Sequence, residues 1–232
     1  MNLKEQAARQ ALARVRSGMV LGLGTGTTTA YFVDMLGEAL QTGALRDILA
    51  VPTSEWAADR ACALGISLTT LADHSRLDLA VDGADEVDPD LNLIKGLGRA
   101  LLREKIVEVH AERFLVLVDE SKLVPRLGSH HPLPVEIVPF GAKAHVRWLS
   151  TLGCRAELWC EADGAPIVTD NGNYLARCWF REGIADAYTL ARALADRPGI
   201  VEHGLFLGMA SAVIVAGSEG TRVLDPARGN LL

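Results

Sequence analysis

A short apolar run, Met19 to Leu23, passes into Gly22-Leu23-Gly24-Thr25-Gly26-Thr27-Thr28, and a helical pattern follows from about Thr28 to Leu40. Glycines at alternate positions let a backbone turn sharply and come close to another group. A helix that starts directly behind such a turn presents unsatisfied N–H groups and the positive end of its dipole. A strand that empties through glycines into a helix is the building unit of open α/β sheets, and the rest of the first half repeats it. Leu3 to Arg16 carries one helical stripe (Leu3, Ala7, Ala8, Ala11, Leu12, Val15). Ile48 to Val51 reads as a strand, with Ser54 capping a helix that runs to Leu64. Ile66 to Thr69 and Leu77 to Val81 are further strands, Ala100 to His110 is helical, and Phe114 to Val118 is another β run. Strands separated by helices predict a parallel sheet with helices on both faces.

The pattern changes near Gly128. A strand at Pro134 to Val138 precedes a helix at Ala142 to Leu152. Strands at Cys154 to Cys160 and Asn173 to Phe180 follow, with a short β segment at Ile167-Val168 between them. A helix at Asp186 to Ala195 and a strand at Gly199 to Gly204 complete the set. This β-α-β-β-α-β order is the ferredoxin-like arrangement. Ser211 to Ala216 and Arg222 to Leu224 read as a hairpin that rejoins the first sheet. The expected fold class is therefore α/β, a parallel-sheet Rossmann-like domain (1–128 and 205–232) with an inserted, smaller ferredoxin-like α+β domain (129–204).

Composition narrows the partners. The 232 residues carry 23 basic and 29 acidic side chains, a net charge of −6, so the basic excess of a nucleic-acid binder is missing. The longest uncharged apolar stretch, Gly204 to Gly217, is shorter than the roughly 20 residues of a membrane span and is interrupted by glycine. Charged residues occupy the N-terminal stretch where a signal peptide has its apolar region, which predicts a cytoplasmic chain. Cys62, Cys154, Cys160 and Cys178 form no CxxC pair, and the six histidines form no HExxH, so free buried thiols are expected and a zinc site is not.

Three segments carry groups suited to chemistry. The 22–28 loop lacks the GxGxxG spacing of a dinucleotide site, and the strand ending Val51-Pro52-Thr53 lacks the acid such a site needs. It lacks the Gly-Lys-Ser/Thr of a Walker loop as well, so it suits a simple phosphate. Asp82-Gly83-Ala84-Asp85-Glu86 follows the strand Leu79-Ala80-Val81, and ligands of open α/β sheets bind at such carboxyl ends. Asp88, Asp90 and Asn92 have the first spacing of a calcium loop. Leu93 and Arg99 stand where its glycine and glutamate belong, and calcium is rejected. Lys95-Gly96-Leu97-Gly98-Arg99 is a glycine turn ahead of the helix that bears Glu104. Leu101 and Val107 flank Glu104 three residues away on an apolar stripe; burial would raise its pKa, whereas Arg103, Lys105 and the helix N-terminus would lower it. Asp119-Glu120-Ser121-Lys122 closes the strand before it as a charged turn.

Together these segments resemble the A-type ribose-5-phosphate isomerase family. The resemblance lies in Gly-Leu-Gly-Thr-Gly-Thr-Thr at 22–28, Val-Asp-Gly-Ala-Asp-Glu at 81–86, Leu-Ile-Lys-Gly at 93–96 and Ala-Leu-Leu-Arg-Glu-Lys-Ile at 100–106. It continues in Asp-Glu-Ser-Lys at 119–122, Pro-Leu-Pro-Val-Glu at 132–136 and Thr-Asp-Asn-Gly-Asn at 169–173. It implies interconversion of ribose 5-phosphate and ribulose 5-phosphate through an enediol, with no metal or other cofactor. By that resemblance Glu104 is the base, Asp82 assists ring opening, and Lys95 with Asp85 stabilises the enediolate oxygens. Thr25, Gly26, Thr27 and Thr28 match the phosphate loop. Gly83, Ala84, Gly96, Leu97 and Gly98 match substrate-binding backbone, and Lys4 and Lys122 match sugar-phosphate contacts. A homodimer or larger assembly is expected. The family's glycine run typically ends in Gly-Ala, whereas this chain reads Gly98-Arg99-Ala100. Continuing the helix back to Arg99 sets it about 140° from Glu104, so a solvated Arg99 is expected, away from Asp85 and Glu104. The competing class is a non-catalytic sugar-phosphate sensor. It would need a DNA-binding module, and no helix-turn-helix segment or basic extension stands in this sequence.

Overall fold

The computed structural model describes residues 2–226. In chain order its elements are α1 (Leu3–Leu12), β1 (Val20–Leu23), α2 (Thr27–Gln41), β2 (Leu49–Pro52), α3 (Glu55–Ala63), β3 (Ser67–Leu68) and β4 (Leu79–Gly83). Next are β5 (Glu86–Val87), β6 (Leu93–Ile94), α4 (Leu101–Val109), β7 (Phe114–Asp119), β8 (Leu133–Ile137), α5 (Ala142–Leu149) and β9 (Arg155–Leu158). The remainder are β10 (Tyr174–Trp179), α6 (Ala187–Ala195), β11 (Ile200–His203), β12 (Leu205–Phe206), β13 (Ala212–Gly217) and β14 (Gly220–Leu224). The chain divides into two compact units. One comprises everything up to Ala84, Arg103–Lys122 and the part from Gly208 on; the other comprises Asp85–Leu102 and Leu123–Leu207.

The first unit is built on a seven-stranded sheet in the order β14-β13-β7-β4-β1-β2-β3. All neighbours pair in parallel except the closing hairpin of β13 and β14. The near-continuous apolar burial of β4, β7 and β13 is that of strands covered on both faces. Thr29, Phe32, Val33, Leu36 and Gly37 form the buried stripe of α2, the spacing of one helical face. Ala7, Ala8 and Ala11 let α1 pack closely against it. The chain leaves β1 toward β2 on one side, and later places β4 against the other side of β1. The carboxyl ends of β1 and β4 therefore flank a topological switch point, the place where open α/β sheets bind ligands.

The second unit has a four-stranded antiparallel sheet in the order β11-β8-β10-β9, with α5 between β8 and β9 and α6 between β10 and β11. This is the ferredoxin-like order expected. Its core joins Leu133, Val135 and Ile137 of β8 to Leu149, Leu190 and Leu194 of the two helices. The sequence reading has no counterpart for the three-stranded sheet β12-β6-β5. Strands of two residues carry no alternation to detect. Segment 85–102, which holds β5 and β6, groups with this unit. The cysteines are free, but Cys62 is exposed and Cys154 and Cys160 are half-buried, so of the four only Cys178 meets the expectation of burial.

Candidate active site

In the first unit the site grows from the ends of β1 and β4. Beyond Leu23 the Gly24 N–H donates to Val81 O (3.0 Å), which keeps the 22–28 loop against β4. Gly24 tolerates no side chain, since a Cβ there would stand 2.0 Å from Asp82 Cγ. Asp82, 1% exposed, is the node of this region. Its Oδ1 accepts from the backbone N–H of Thr25 (3.0 Å) and Gly83 (2.7 Å) and from Thr29 Oγ1 (3.1 Å). The Thr25 hydroxyl lies 2.8 Å from Thr53 Oγ1 and 2.7 Å from Ser54 Oγ, so the turns after β1 and β2 are joined by hydroxyls. Gly26, at φ 114°, caps α2 without a side chain, leaving open the side on which Thr27 and Thr28 begin the helix. Lys4 Nζ donates to Thr27 Oγ1 (2.6 Å), which brings a cation from α1 to this helix start.

Glu104 stands in the first turn of α4 and is 3% exposed. Three residues on, Val107 packs on Gly22, where a Cβ would lie 2.7 Å from Val107 Cγ1 and 3.0 Å from Ala80 Cβ. The missing side chain at Gly22 thus lets α4 settle over β1 and β4, with Glu104 one turn earlier on the same face. Lys122 ends the 3-10 turn Glu120–Lys122 after β7 and is half-buried. Gly83 and Ala84 are half-buried where β4 ends.

The second unit holds Asp85, Lys95 and the turn Gly96-Leu97-Gly98. Backbone pairing of Asp85 N–H with Ile94 O (2.8 Å) and of Lys95 N–H with Gly204 O (2.9 Å) fixes both ends of this segment. Asp85 Oδ2 accepts from Leu97 N–H (2.9 Å). Lys95 is 2% exposed, and its ammonium lies 5.4 Å from the centre of the Phe206 ring. The Gly96 backbone is left-handed at φ 105°, and a Cβ there would meet Leu101 at 2.8 Å. Leu97 is half-buried and Gly98 exposed. Arg99 is exposed, as expected, and its ion pair is with Glu161 (2.6 Å), over Trp159, in place of Asp85 or Glu104. The helical extrapolation does not apply to it, because α4 begins only at Leu101 and Arg99 is left-handed at φ 69°.

Sequence reasoning missed several supports. Thr29, Thr53 and Ser54 hold Asp82 and Thr25, and the only signal was their hydroxyl chemistry near a glycine loop. Glu86, fully buried, accepts from the backbone N–H groups of Gly128 (2.5 Å), His130 (2.7 Å) and His131 (2.6 Å). Glu136, also fully buried, accepts through Oε1 from Thr169 Oγ1 (2.9 Å), Asn171 Nδ2 (3.2 Å) and Asn173 Nδ2 (2.9 Å). The Pro-Leu-Pro-Val-Glu and Thr-Asp-Asn-Gly-Asn blocks therefore meet at one carboxylate.

Known proteins resemble this chain along nearly its whole length. A protein from Roseiflexus castenholzii named ribose-5-phosphate isomerase A is 52% identical, covering 96% of this chain and 94% of its own. A probable chloroplastic ribose-5-phosphate isomerase from Arabidopsis thaliana is 47% identical, covering 96% and 83%. Among solved structures, a D-ribose-5-phosphate isomerase in complex with phospho-erythronic acid superposes with a TM-score of 0.94 at 44% identity, covering 97% of this chain and all of that one. The ribose 5-phosphate isomerase A of Methanocaldococcus jannaschii gives 0.91 at 40%, covering 96% and 98%. The family model for ribose 5-phosphate isomerase A (phosphoriboisomerase A) matches residues 49–220, which include Asp82, Asp85, Lys95 and Glu104. With a family model over most of its length and relatives of this closeness, the chain belongs to the ribose 5-phosphate isomerase A family.

Proposed function

We propose that Glu104 is the base in the interconversion of ribose 5-phosphate and ribulose 5-phosphate that this chain catalyses. The observation that carries the assignment is its burial, 3% exposed, in the first turn of the helix that covers β1 and β4. The reaction moves one proton from C2 of the aldose to C1. As C2 gives up its proton, the C1 carbonyl oxygen gains one and becomes an enediol hydroxyl; C1 then takes the abstracted proton, while O2 gives up its own, balancing the one O1 gained, and becomes the carbonyl. No electron acceptor is consumed, so one carboxylate that reaches both carbons can serve as base and then as acid. Asp82 is assigned to opening the furanose ring. Lys95, with Asp85, is assigned to the negative charge that develops on the enediolate oxygens, where a fixed cation is most effective in a water-poor site. Thr25, Gly26, Thr27 and Thr28 are assigned to the phosphate, supported by the strand–glycine–helix junction and by Lys4 at Thr27. Gly83, Ala84, Gly96, Leu97, Gly98 and Lys122 are assigned to the rest of the sugar phosphate. A cytoplasmic location and a homo-oligomer are part of this proposal; no helix among the described residues is long and apolar enough to cross a membrane.

The test is turnover of ribose 5-phosphate, with EDTA present, by the wild type and by Glu104→Gln. The wild type should isomerise, and the variant should lose about two to four orders of magnitude in kcat with affinity held within a few-fold. Near wild-type turnover by the variant would remove Glu104 from the role. Binding without turnover by the wild type would favour the sensor reading.

A further inference from the structure

We propose that Arg99 is a positioning residue, clamped by Glu161 and Trp159 to hold the Gly96-Leu97-Gly98 turn in its binding geometry. This rests on the assignment of that turn to substrate. Two contacts fix the turn's beginning, Lys95 N–H to Gly204 O and Leu97 N–H to Asp85 Oδ2, and a single backbone bond closes it, Arg99 N–H to Gly96 O (2.9 Å each). Its end is exposed at Gly98 and passes through Arg99 at φ 69°, a left-handed conformation that L side chains avoid. A non-glycine residue holds such a backbone only where its surroundings over-determine it.

The surroundings do so through the side chain. Arg99 Nη1 donates to Glu161 Oε1 (2.6 Å), Nη2 stands 3.5 Å from Oε2, and the guanidinium lies 5.5 Å from the centre of the Trp159 ring. Trp159 and Glu161 are two apart on an extended segment and so face the same way. Both are anchored by backbone. Trp159 N–H donates to Leu175 O (2.8 Å), Ile167 N–H donates to Trp159 O (2.9 Å), and Glu161 N–H donates to Ala165 O (2.8 Å). Exposed ion pairs usually contribute little, but this one is fork-shaped, stacked on an aromatic ring and rooted in fixed backbone, the circumstances in which such a pair counts. Asp85 grips one side of the turn and the clamp grips the other, so the amide at Leu97 keeps its direction.

Arg99→Gly removes the clamp and Glu161→Gln removes the charge that tightens it, and neither strains the fold, since glycine accepts φ 69° and glutamine is isosteric. Each should raise KM for ribose 5-phosphate, and weaken phospho-erythronic acid binding, about three- to fivefold, with kcat within twofold of wild type. The double variant should match Arg99→Gly, because Glu161 acts only through Arg99. Hydrogen exchange at the Leu97 amide should quicken in all three. Unchanged KM, additive effects in the double variant, or unchanged exchange at Leu97 would overturn the clamp. These failures differ from failure of the functional assignment, which Glu104→Gln tests by kcat; the exchange measurement needs no catalysis at all.

Discussion

Asp82 carries much of the local geometry through one oxygen. Its Oδ1 gathers the Thr25 and Gly83 amides and the Thr29 hydroxyl, while the 1% exposure of the residue keeps water from competing. This clustering requires the loop backbone at Gly24 to pass within contact of the carboxylate. A methyl group at Gly24 would sit 2.0 Å from Asp82 Cγ, far inside van der Waals contact, so either the loop or the carboxylate must move. Gly24→Ala is therefore expected to destabilise by about 1–3 kcal/mol, as overpacking does, and to cut kcat/KM by more than tenfold. Thermal unfolding with steady-state kinetics checks this; a variant with wild-type Tm and turnover would show that the close approach is dispensable. The need for glycine here was legible in the sequence as an alternating Gly pattern. The carboxylate it makes room for lies 58 residues away, and no local pattern links the two.

At the level of elements, end groups decide where helices begin. Asp186 caps α6, accepting from the Thr189 N–H (3.0 Å) and the Thr189 hydroxyl (2.7 Å). The backbone bond from Thr189, then its hydroxyl, hold the Asp186 carboxyl below its ordinary pKa, with Arg192 adding a smaller pull. A carboxylate lowered by folding stabilises at pH values above its unfolded pKa of about 3.9, and that contribution fades as pH falls through the lower folded value. Asp186→Ala should therefore lower Tm by a few degrees at pH 7, and the gap between variant and wild type should close below about pH 4. A gap that stays constant down to pH 2 would mean that the cap's charge is immaterial. Caps of this kind were legible: Ser54 before α3 was read from the sequence, and the structure has its Oγ accepting from Ala57 N–H (3.0 Å). The strands β5, β6 and β12 were not, because two residues have no period and β12 meets its partner β6 from more than 100 residues away. The exposure expected of Arg99 is met, but the helical extrapolation behind it is not, because the backbone there is a left-handed turn.

For the molecule as a whole, the alternation of helices and strands and the β-α-β-β-α-β order were sufficient to foresee the two larger sheets, but not which segments each unit needs. The chain changes unit four times, after Ala84, Leu102, Lys122 and Leu207. The ferredoxin-like segment 129–204 therefore does not contain everything its own unit uses. Glu86, the acceptor for the Gly128, His130 and His131 amides, lies outside it. So does Leu101, which forms a buried cluster with Ile167 and Leu175. Ile94, Val124 and Leu127 of the larger core are absent from it too, as is Lys95, whose N–H pairs with Gly204 O. Removing buried partners costs both the transfer energy of the lost apolar surface and the desolvation of polar groups left unmatched. A fragment of this size has only a few kcal/mol of stability to lose. We therefore expect 129–204 expressed alone to lack a cooperative unfolding transition and dispersed amide resonances. A polypeptide that joins 85–102 to 123–207 through a flexible linker should regain both. If the short fragment unfolds cooperatively by itself, the contacts from 85–102 are accessories to that sheet and not part of its fold.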